Sequence, residues 1–282
     1  MTRVRNRPRP RRWGALLIPA LVGLSLASDS QLDPWRRLAP GLELASFTVD
    51  RATVRVMRID PDQWETVALA ASATGGAART ARAWGREFGL AAVVNAGMYA
   101  TDGITHTGYF RTGSHVNNGR WVQRDYRQVA CFEPREAGLP AFTLVDLDSV
   151  PPDRFADRYD IVVQNLRLIG KPGRNRWSPS HRRWSEACLA EDSRGRMLWI
   201  LCRQPLDMHA FNEMLLRLPL DLVAAQHLEG GPQAQLWIDS AHLDQVSPGP
   251  PSESSIDNDD NALTWPIPNV LGIRRRSVFN SE

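Results

Sequence analysis

Residues 220–238 read LDLVAAQHLEGGPQAQLWI. LDLVAAQH and AQLWI both carry the apolar runs of short buried strands, with β-branched or aromatic members. Between them one strand ends on Glu229, and Gly230, Gly231 and Pro232 make the turn. Such a turn can serve chain reversal alone, with glycine chosen for positive φ and the carboxylate as a solvated lip. It can equally serve a site, because a carboxylate at a rigid strand end then stands beside backbone bare enough for a ligand to approach.

Further strands are expected on either side of this stretch. FTVDRATVRVMRI, WETVALAA, LAAVVNAGMY, RQVACFEP, AFTLVDL and YDIVVQNLRLI all read as extended, and WPIPNVLGIRR closes the chain as a final strand. Asn118-Gly119 in SHVNNGRWV is a hairpin signal, and a second hairpin is expected around Ser193 to Gly195. GAARTARAWGREFG places Ala77, Ala81, Trp84 and Phe88 on one helical face. Asp207 is placed to cap a helix through MHAFNEMLLRL. No repeat and no linker interrupts this order. The expectation is one α+β domain with a large mixed, mainly antiparallel sheet and a few helices.

The N-terminus has a different composition. Six arginines and no acid precede an apolar stretch from Trp13 to Ala27 that contains Gly14, Pro19 and Gly23. It is short for a membrane span of about twenty residues, and Ser25-Leu26-Ala27 supplies the small residues of a cleavage site. Residues 1–27 are therefore expected to be a signal peptide and 28–282 the functional domain, periplasmic or secreted. Membrane association is expected only through the signal segment if it stays uncleaved. The chain holds 34 basic and 31 acidic residues, net +3. Six of the basic ones lie in the signal, so the remainder holds 28 against 31. The basic balance belongs to targeting, and a nucleic-acid partner is not expected. Cys131, Cys188 and Cys202 are an odd set for an exported chain, and buried thiols are expected.

Several chemistries fail on spacing. DNDDN at 257–261 lacks the glycine and the final acid of a calcium loop. His209 and Glu213 have no second histidine for a zinc site, and no G-x-S-x-G occurs. No metal or cofactor is expected. What remains is a second strand ending on a polar residue and glycine, VVNAGMY with Asn95 and Gly97. There is also a basic run, GKPGRNRWSPSHRRW, in which Arg182 and Arg183 lie between Trp177 and Trp184. Arginine forks suit phosphate oxygens, and indole faces can stack on a sugar.

VVNAGMY, with Gly108 eleven residues after Gly97, resembles the N-[AG]-G-[MF]-[FY] block of the phosphodiester glycosidases. VNNGRW, VVQNLRLI, LEGGPQAQLWI and WPIPNVLGI resemble later blocks of that family in the same order, from about Phe47 to Ile273. Glu229 stands where the family commonly has aspartate, Gln164 is followed by Asn165 and Leu166, and Ala190 replaces a frequent glycine. The resemblance implies cleavage of a sugar-1-phosphodiester, of N-acetylglucosamine type, from a glycan or envelope polymer. It implies Glu229 as base or nucleophile and Asp102 as a second carboxylate. Asn95, Gln164, Gly97, Gly108, Gly230 and Gly231 would line the sugar site, and Arg182 or Arg183 would hold the phosphate. The alternative is an exported glycan-binding or envelope-assembly protein that keeps the pocket without turnover.

Overall fold

The computed structural model describes Met1 and residues 33–239 and 265–277. The expected signal segment and the DNDDN run lie outside the described residues. The chain divides into two units, Met1–Asp33 and Pro34–Glu282, and every element named here belongs to the second.

In chain order the first strands are β1 (Arg36–Ala39), β2 (Leu42–Val49), β3 (Ala52–Ile59) and β4 (Trp64–Ala70), followed by helix α1 (Ala81–Phe88). Next come β5 (Ala92–Asn95), β6 (Phe110–Thr112), β7 (His115–Asn118), β8 (Gln128–Pro134) and β9 (Phe142–Asp146). Then follow β10 (Tyr159–Asn165), β11 (Arg167–Gly170), β12 (Arg174–Asn175), β13 (Trp184–Asp192) and β14 (Met197–Leu206). Helix α2 (Met208–Arg217), β15 (Leu222–Gly230), β16 (Leu236–Ile238) and β17 (Asn269–Arg275) complete the described chain.

The α+β class is borne out, with the strands distributed over three sheets. Their orders are β1-β2-β3-β14-β13-β15-β11-β12, β7-β6-β10-β8-β9 and β16-β5-β17-β4. Every strand pair among the described residues is antiparallel. The main core forms where the three sheets face one another. It takes Met57, Leu189 and Trp199 from the first sheet, Phe132, Leu144 and Val163 from the second, and Val94 and Leu271 from the third. On the other face of the first sheet, Phe211, Met214 and Leu215 of α2 pack on Val54, Cys188 and Ile200. Each such large side chain, fully buried, is worth about 1.5–3 kcal/mol.

Local signals explain most boundaries. Asp50 and Arg51 both have positive φ (47° and 70°), the two-residue turn whose twist suits the β2–β3 hairpin. Thr80 Oγ1 accepts from Ala83 N and starts α1 there, leaving Ala77 outside the helix, while Gly89 ends it in the left-handed region. Asp207 caps α2 as expected, accepting from Ala210 N. The Asn118-Gly119 hairpin is corrected. The β6–β7 turn falls at Gly113 (φ 57°), and Asn118 Nδ2 instead donates to the His106 carbonyl at 2.7 Å. All three cysteines are buried thiols. Among the described residues no helix is long and apolar enough to cross a membrane.

Candidate active site

Glu229 sits at the end of β15, half-buried, with Oε1 accepting from Gly230 N at 3.0 Å. Burial raises its pKa above the ordinary glutamate value. The His227 charge and the Gly230 amide act against that rise, and the Glu186 charge adds to it. β13 and β15 pair here with a register shift, so that Ala187 faces Glu229 and Cys188 faces His227. One extra residue, Leu228, is thereby accommodated in β15, a bulge of the kind that re-aims side chains at strand ends.

The sequence reading missed the two groups that shape Glu229 most closely. His227 Nδ1 lies 2.6 Å from Glu186 Oε1, and both residues are buried. Trp184 Nε1 donates to the other Glu186 oxygen at 3.0 Å. A signal was present in WSEACLA, because an acid inside an apolar strand requires a partner. The partner lies 41 residues further along the chain, and only the β13–β15 register brings the two together.

The two glycines after Glu229 act differently. Gly230 has ordinary extended backbone, but a Cβ there would lie 2.6 Å from Trp184 Cδ1 and 3.1 Å from the Ser185 carbonyl. Gly231 has φ +65° with nothing nearer than 3.6 Å, so it is required for conformation alone. Ser185 Oγ donates to the Gly231 carbonyl at 3.1 Å and closes the turn onto β13.

Asn95, Gln164 and Glu229, which the resemblance groups at one sugar site, do not share one sheet edge. They end strands of three different sheets. Asn95 Nδ2 donates to the Gln233 carbonyl at 2.6 Å, and its Oδ1 accepts from Gln235 N at 2.8 Å. The amide thus clips the segment that follows Gly231. Gln164 Oε1 accepts from Tyr109 N and Val122 N, while Nε2 donates to the Val122 and Tyr126 carbonyls. Both amides bond backbone through nitrogen and oxygen alike, so they position loops around the site.

Gln164 places Tyr126 in particular. Burial raises the Tyr126 pKa, and the Glu229 charge adds to that rise, so the phenol lies within electrostatic reach of the carboxylate. Its hydroxyl donates to Thr107 Oγ1 at 3.0 Å. Gly108 is needed because a Cβ would lie 2.3 Å from the Gln164 carbonyl and 3.2 Å from the Tyr126 ring. Gly97 (φ 153°) is needed because a Cβ would lie 2.3 Å from both His106 Nε2 and Asn165 Oδ1. Burial lowers the His106 pKa to about 4, so the ring is neutral near pH 7. Its Nδ1 lies 3.0 Å from both the amide nitrogen and the carbonyl oxygen of Gly108, so either neutral tautomer finds a partner there.

Asp102 is exposed and engaged in its own turn. It accepts from Ile104 N, Thr105 N and Thr105 Oγ1, and these bonds, the hydroxyl's first, lower its pKa. A carboxylate so held is a poor proton donor. Arg182 and Arg183 are exposed immediately before Trp184. The tryptophans of that run turn inward. Trp177 donates to the Arg167 carbonyl and packs edge-on against Trp184 at 6.1 Å, so neither indole is an open sugar platform.

The fold is a three-sheet, β-rich domain with a half-buried carboxylate at a glycine turn, and comparison with known proteins makes its class specific. The family model described as phosphodiester glycosidase matches residues 88–274, about two thirds of the chain, and this chain belongs to that family. The fold is similar to the catalytic domain of zebrafish N-acetylglucosamine-1-phosphodiester alpha-N-acetylglucosaminidase, a structure auto-inhibited by its pro-peptide. The TM-score is 0.55 at 11% identity, covering 84% of this chain and 85% of that one. It is also similar to a hypothetical protein from Synechocystis, with TM-score 0.53 at 14% identity, covering 83% of this chain and 62% of that one. At these identities the likeness is one of fold. No protein with a curated description matches significantly.

Proposed function

We propose that this chain is an exported glycosidase-like hydrolase that cleaves a sugar-1-phosphodiester, of N-acetylglucosamine type, from a glycan or envelope polymer. The observation that carries this reading is Glu229, a carboxylate with a raised pKa at the glycine turn, backed by the buried His227–Glu186 pair. Cleavage at the anomeric carbon passes through an oxocarbenium-like transition state with a phosphate monoester leaving. That leaving group needs little protonation, so the chemistry depends on a basic carboxylate and on stabilised phosphate charge. A raised pKa makes Glu229 the stronger base, and the Gly230 N–H fixes the direction of its oxygen. The exposed Arg182 and Arg183 are free to meet the phosphate from the neighbouring loop. Export rests on the basic and then apolar N-terminal segment.

A glycan-binding protein without turnover is the second reading. It is favoured by Glu229 itself, one methylene longer than the aspartate that the resembled family commonly has at this turn. Release of a chromophore from a sugar phosphodiester tests the choice. Turnover that is lost in Glu229→Gln supports the hydrolase, and sugar binding with no turnover supports the second reading.

A further inference from the structure

The chain passes from the five-stranded to the eight-stranded sheet at Leu166. Just before it, Asn165 pairs with Gln128 of β8, and just after it, Arg167 pairs with Gln226 of β15. The Leu166 carbonyl accepts from His227 N at 2.9 Å, so a row Gln128–Asn165–Arg167–Gln226, paired laterally at each end and joined along the chain through Leu166, crosses the junction. Ala130 and Phe132 of β8, Ile161 and Val163 of β10, and Ala224 of β15 all belong to the main core. Gln128, Asn165 and Gln226 are in phase with them, so their amides enter the same interior. All three are wholly buried.

Buried amides are expected to have partners. Asn165 Nδ2 donates to the Ala96 carbonyl at 2.9 Å. Asn165 Oδ1, both amide atoms of Gln128 and both of Gln226 have no hydrogen-bond partner in the protein. His106 Nε2 has none either. The Asn165 amide and the Ala96 carbonyl lie near enough to favour a proton on that ring but do not meet bonding geometry. Inside the row Arg167 pairs with Asp146 at 2.6 Å, and Asp146 is the β9 neighbour of Gln128. Each glutamine offers an NH2 with two donor hydrogens and an oxygen with two acceptor lone pairs, whichever way its amide is turned. With His106 Nε2, Asn165 Oδ1 and Arg167 Nε, which has no partner either, the interior presents both donors and acceptors, and the one charged member, Arg167, is already balanced by Asp146.

We propose that this row is a binding site for an uncharged group that both donates and accepts hydrogen bonds. Two sources share that chemistry: a hydroxyl or acetamido substituent of a saccharide, or ordered water. The saccharide source rests on the proposed function, and the water source does not. The position suits either, since Gln226 lies three residues before Glu229 on β15 and His106 Nε2 and Asn165 Oδ1 meet over Gly97, where a Cβ would lie 2.3 Å from both. Asn95 and Gln164, by contrast, already bond backbone through both amide atoms.

High-resolution crystal structures of the wild-type protein, alone and soaked with N-acetylglucosamine, test the proposal. Calorimetric titration of that sugar into wild type, Gln128→Leu, Gln226→Leu and Glu229→Gln completes the test. A sugar substituent within about 3.2 Å of the amides, with binding weakened about tenfold or more in a leucine variant, supports the site and assigns it to saccharide. Water at that distance in both crystals, with binding unchanged in the leucine variants, supports the site and assigns it to water. Glutamines that pair with each other, or face dry protein in both crystals, overturn it. The wild-type crystals decide this even if a leucine variant does not fold. A Glu229→Gln protein with full turnover sinks the catalytic reading and leaves this row standing, so the two failures are distinguishable.

Discussion

His227 Nδ1 stands 2.6 Å from Glu186 Oε1, joining β13 to β15 two residues before Glu229. Burial alone would push the imidazole pKa down. The charge and hydrogen bond of Glu186, with the charge of Glu229, more than offset this, so the His227 pKa is raised. The pair is best described as sharing a proton that the fold retains near neutrality, with Trp184 fixing the second Glu186 oxygen.

Stability should therefore fall as pH rises. A raised histidine pKa contributes stability that is full below the unfolded value of about 6.5 and is lost as pH climbs through the folded value. Burial also raises the pKa of Glu186 and of Glu229. A carboxyl that holds its proton longer when folded has the same sign, favouring the native state at lower pH. Thermal unfolding followed from about pH 5 to about pH 9 should show Tm declining toward the alkaline end, less steeply in Glu186→Gln. A flat or rising profile would refute the shared proton.

Removing one member of the pair should cost more than neutralising it. His227→Ala strands the Glu186 carboxylate in the interior, and breaking such a buried pair costs about 3–5 kcal/mol. The double variant Glu186→Leu with His227→Leu should recover much of that loss, since no charge is left buried. Denaturant titration of the three proteins measures the difference, and a double variant no more stable than His227→Ala would contradict it.

Gly230 and Gly231 should separate cleanly under substitution. Gly231→Asn keeps a residue that tolerates the left-handed region, and its Cβ would meet nothing nearer than 3.6 Å, so its cost should stay below about 1 kcal/mol. Gly230→Ala forces a methyl to 2.6 Å from Trp184 Cδ1 and should cost about 1–3 kcal/mol through overpacking. Indole fluorescence should also shift only for Gly230→Ala, because Trp184 must move. Equal effects would mean that the turn relaxes around both.

Much of this fold was legible in the residues because local chemistry and tertiary pairing agree. The Asp207 cap, the hairpin after Asp192 and the buried apolar runs all follow from side chains acting on their own segments. The break in YDIVVQNLRLI was not legible. Val162, Val163, Leu168 and Ile169 continue the apolar character on both sides of Leu166, and the crossing is imposed by Gln128, Gln226 and the His227 N–H from distant strands. Asn95 and Gln164 illustrate the same limit at the site. Sequence marks them as polar residues at strand ends, but whether such an amide faces a ligand or a backbone depends on which loop folds over it. Here Gln233, Gln235, Val122 and Tyr126 arrive first.

Asn95 should then behave as a positioning residue. Asn95→Asp keeps the acceptor for Gln235 N but sets a carboxylate against the Gln233 carbonyl, 2.6 Å from the present donor. Asn95→Ala strands both backbone groups, at about 1–3 kcal/mol for each buried group left without a partner. Both variants should lose stability, and any activity should fall through a loosened Glu229 turn, with Asn95→Asp the worse of the two near neutral pH. Stability in Asn95→Asp rising as pH is lowered toward carboxyl protonation would confirm the mechanism, because the neutral acid regains a donor. A pH-independent loss would point elsewhere.

The decisive variant is Glu229→Gln. The amide is nearly isosteric, and its oxygen can still accept from Gly230 N, so the turn should survive. The wild-type carboxylate acts as base only when ionised, and burial has raised its pKa. Activity on a sugar-1-phosphodiester should therefore rise with pH along a limb displaced above the ordinary glutamate range. Glu229→Gln should lower that activity at least about a hundredfold, the usual scale for a lost general base, and should abolish the limb. Relieving a buried carboxyl of its charge should at the same time leave Tm unchanged or slightly higher at alkaline pH. Loss of turnover with an intact melting transition is the signature of a working carboxylate. Full turnover in the glutamine variant would reduce Glu229 to the lip of a turn.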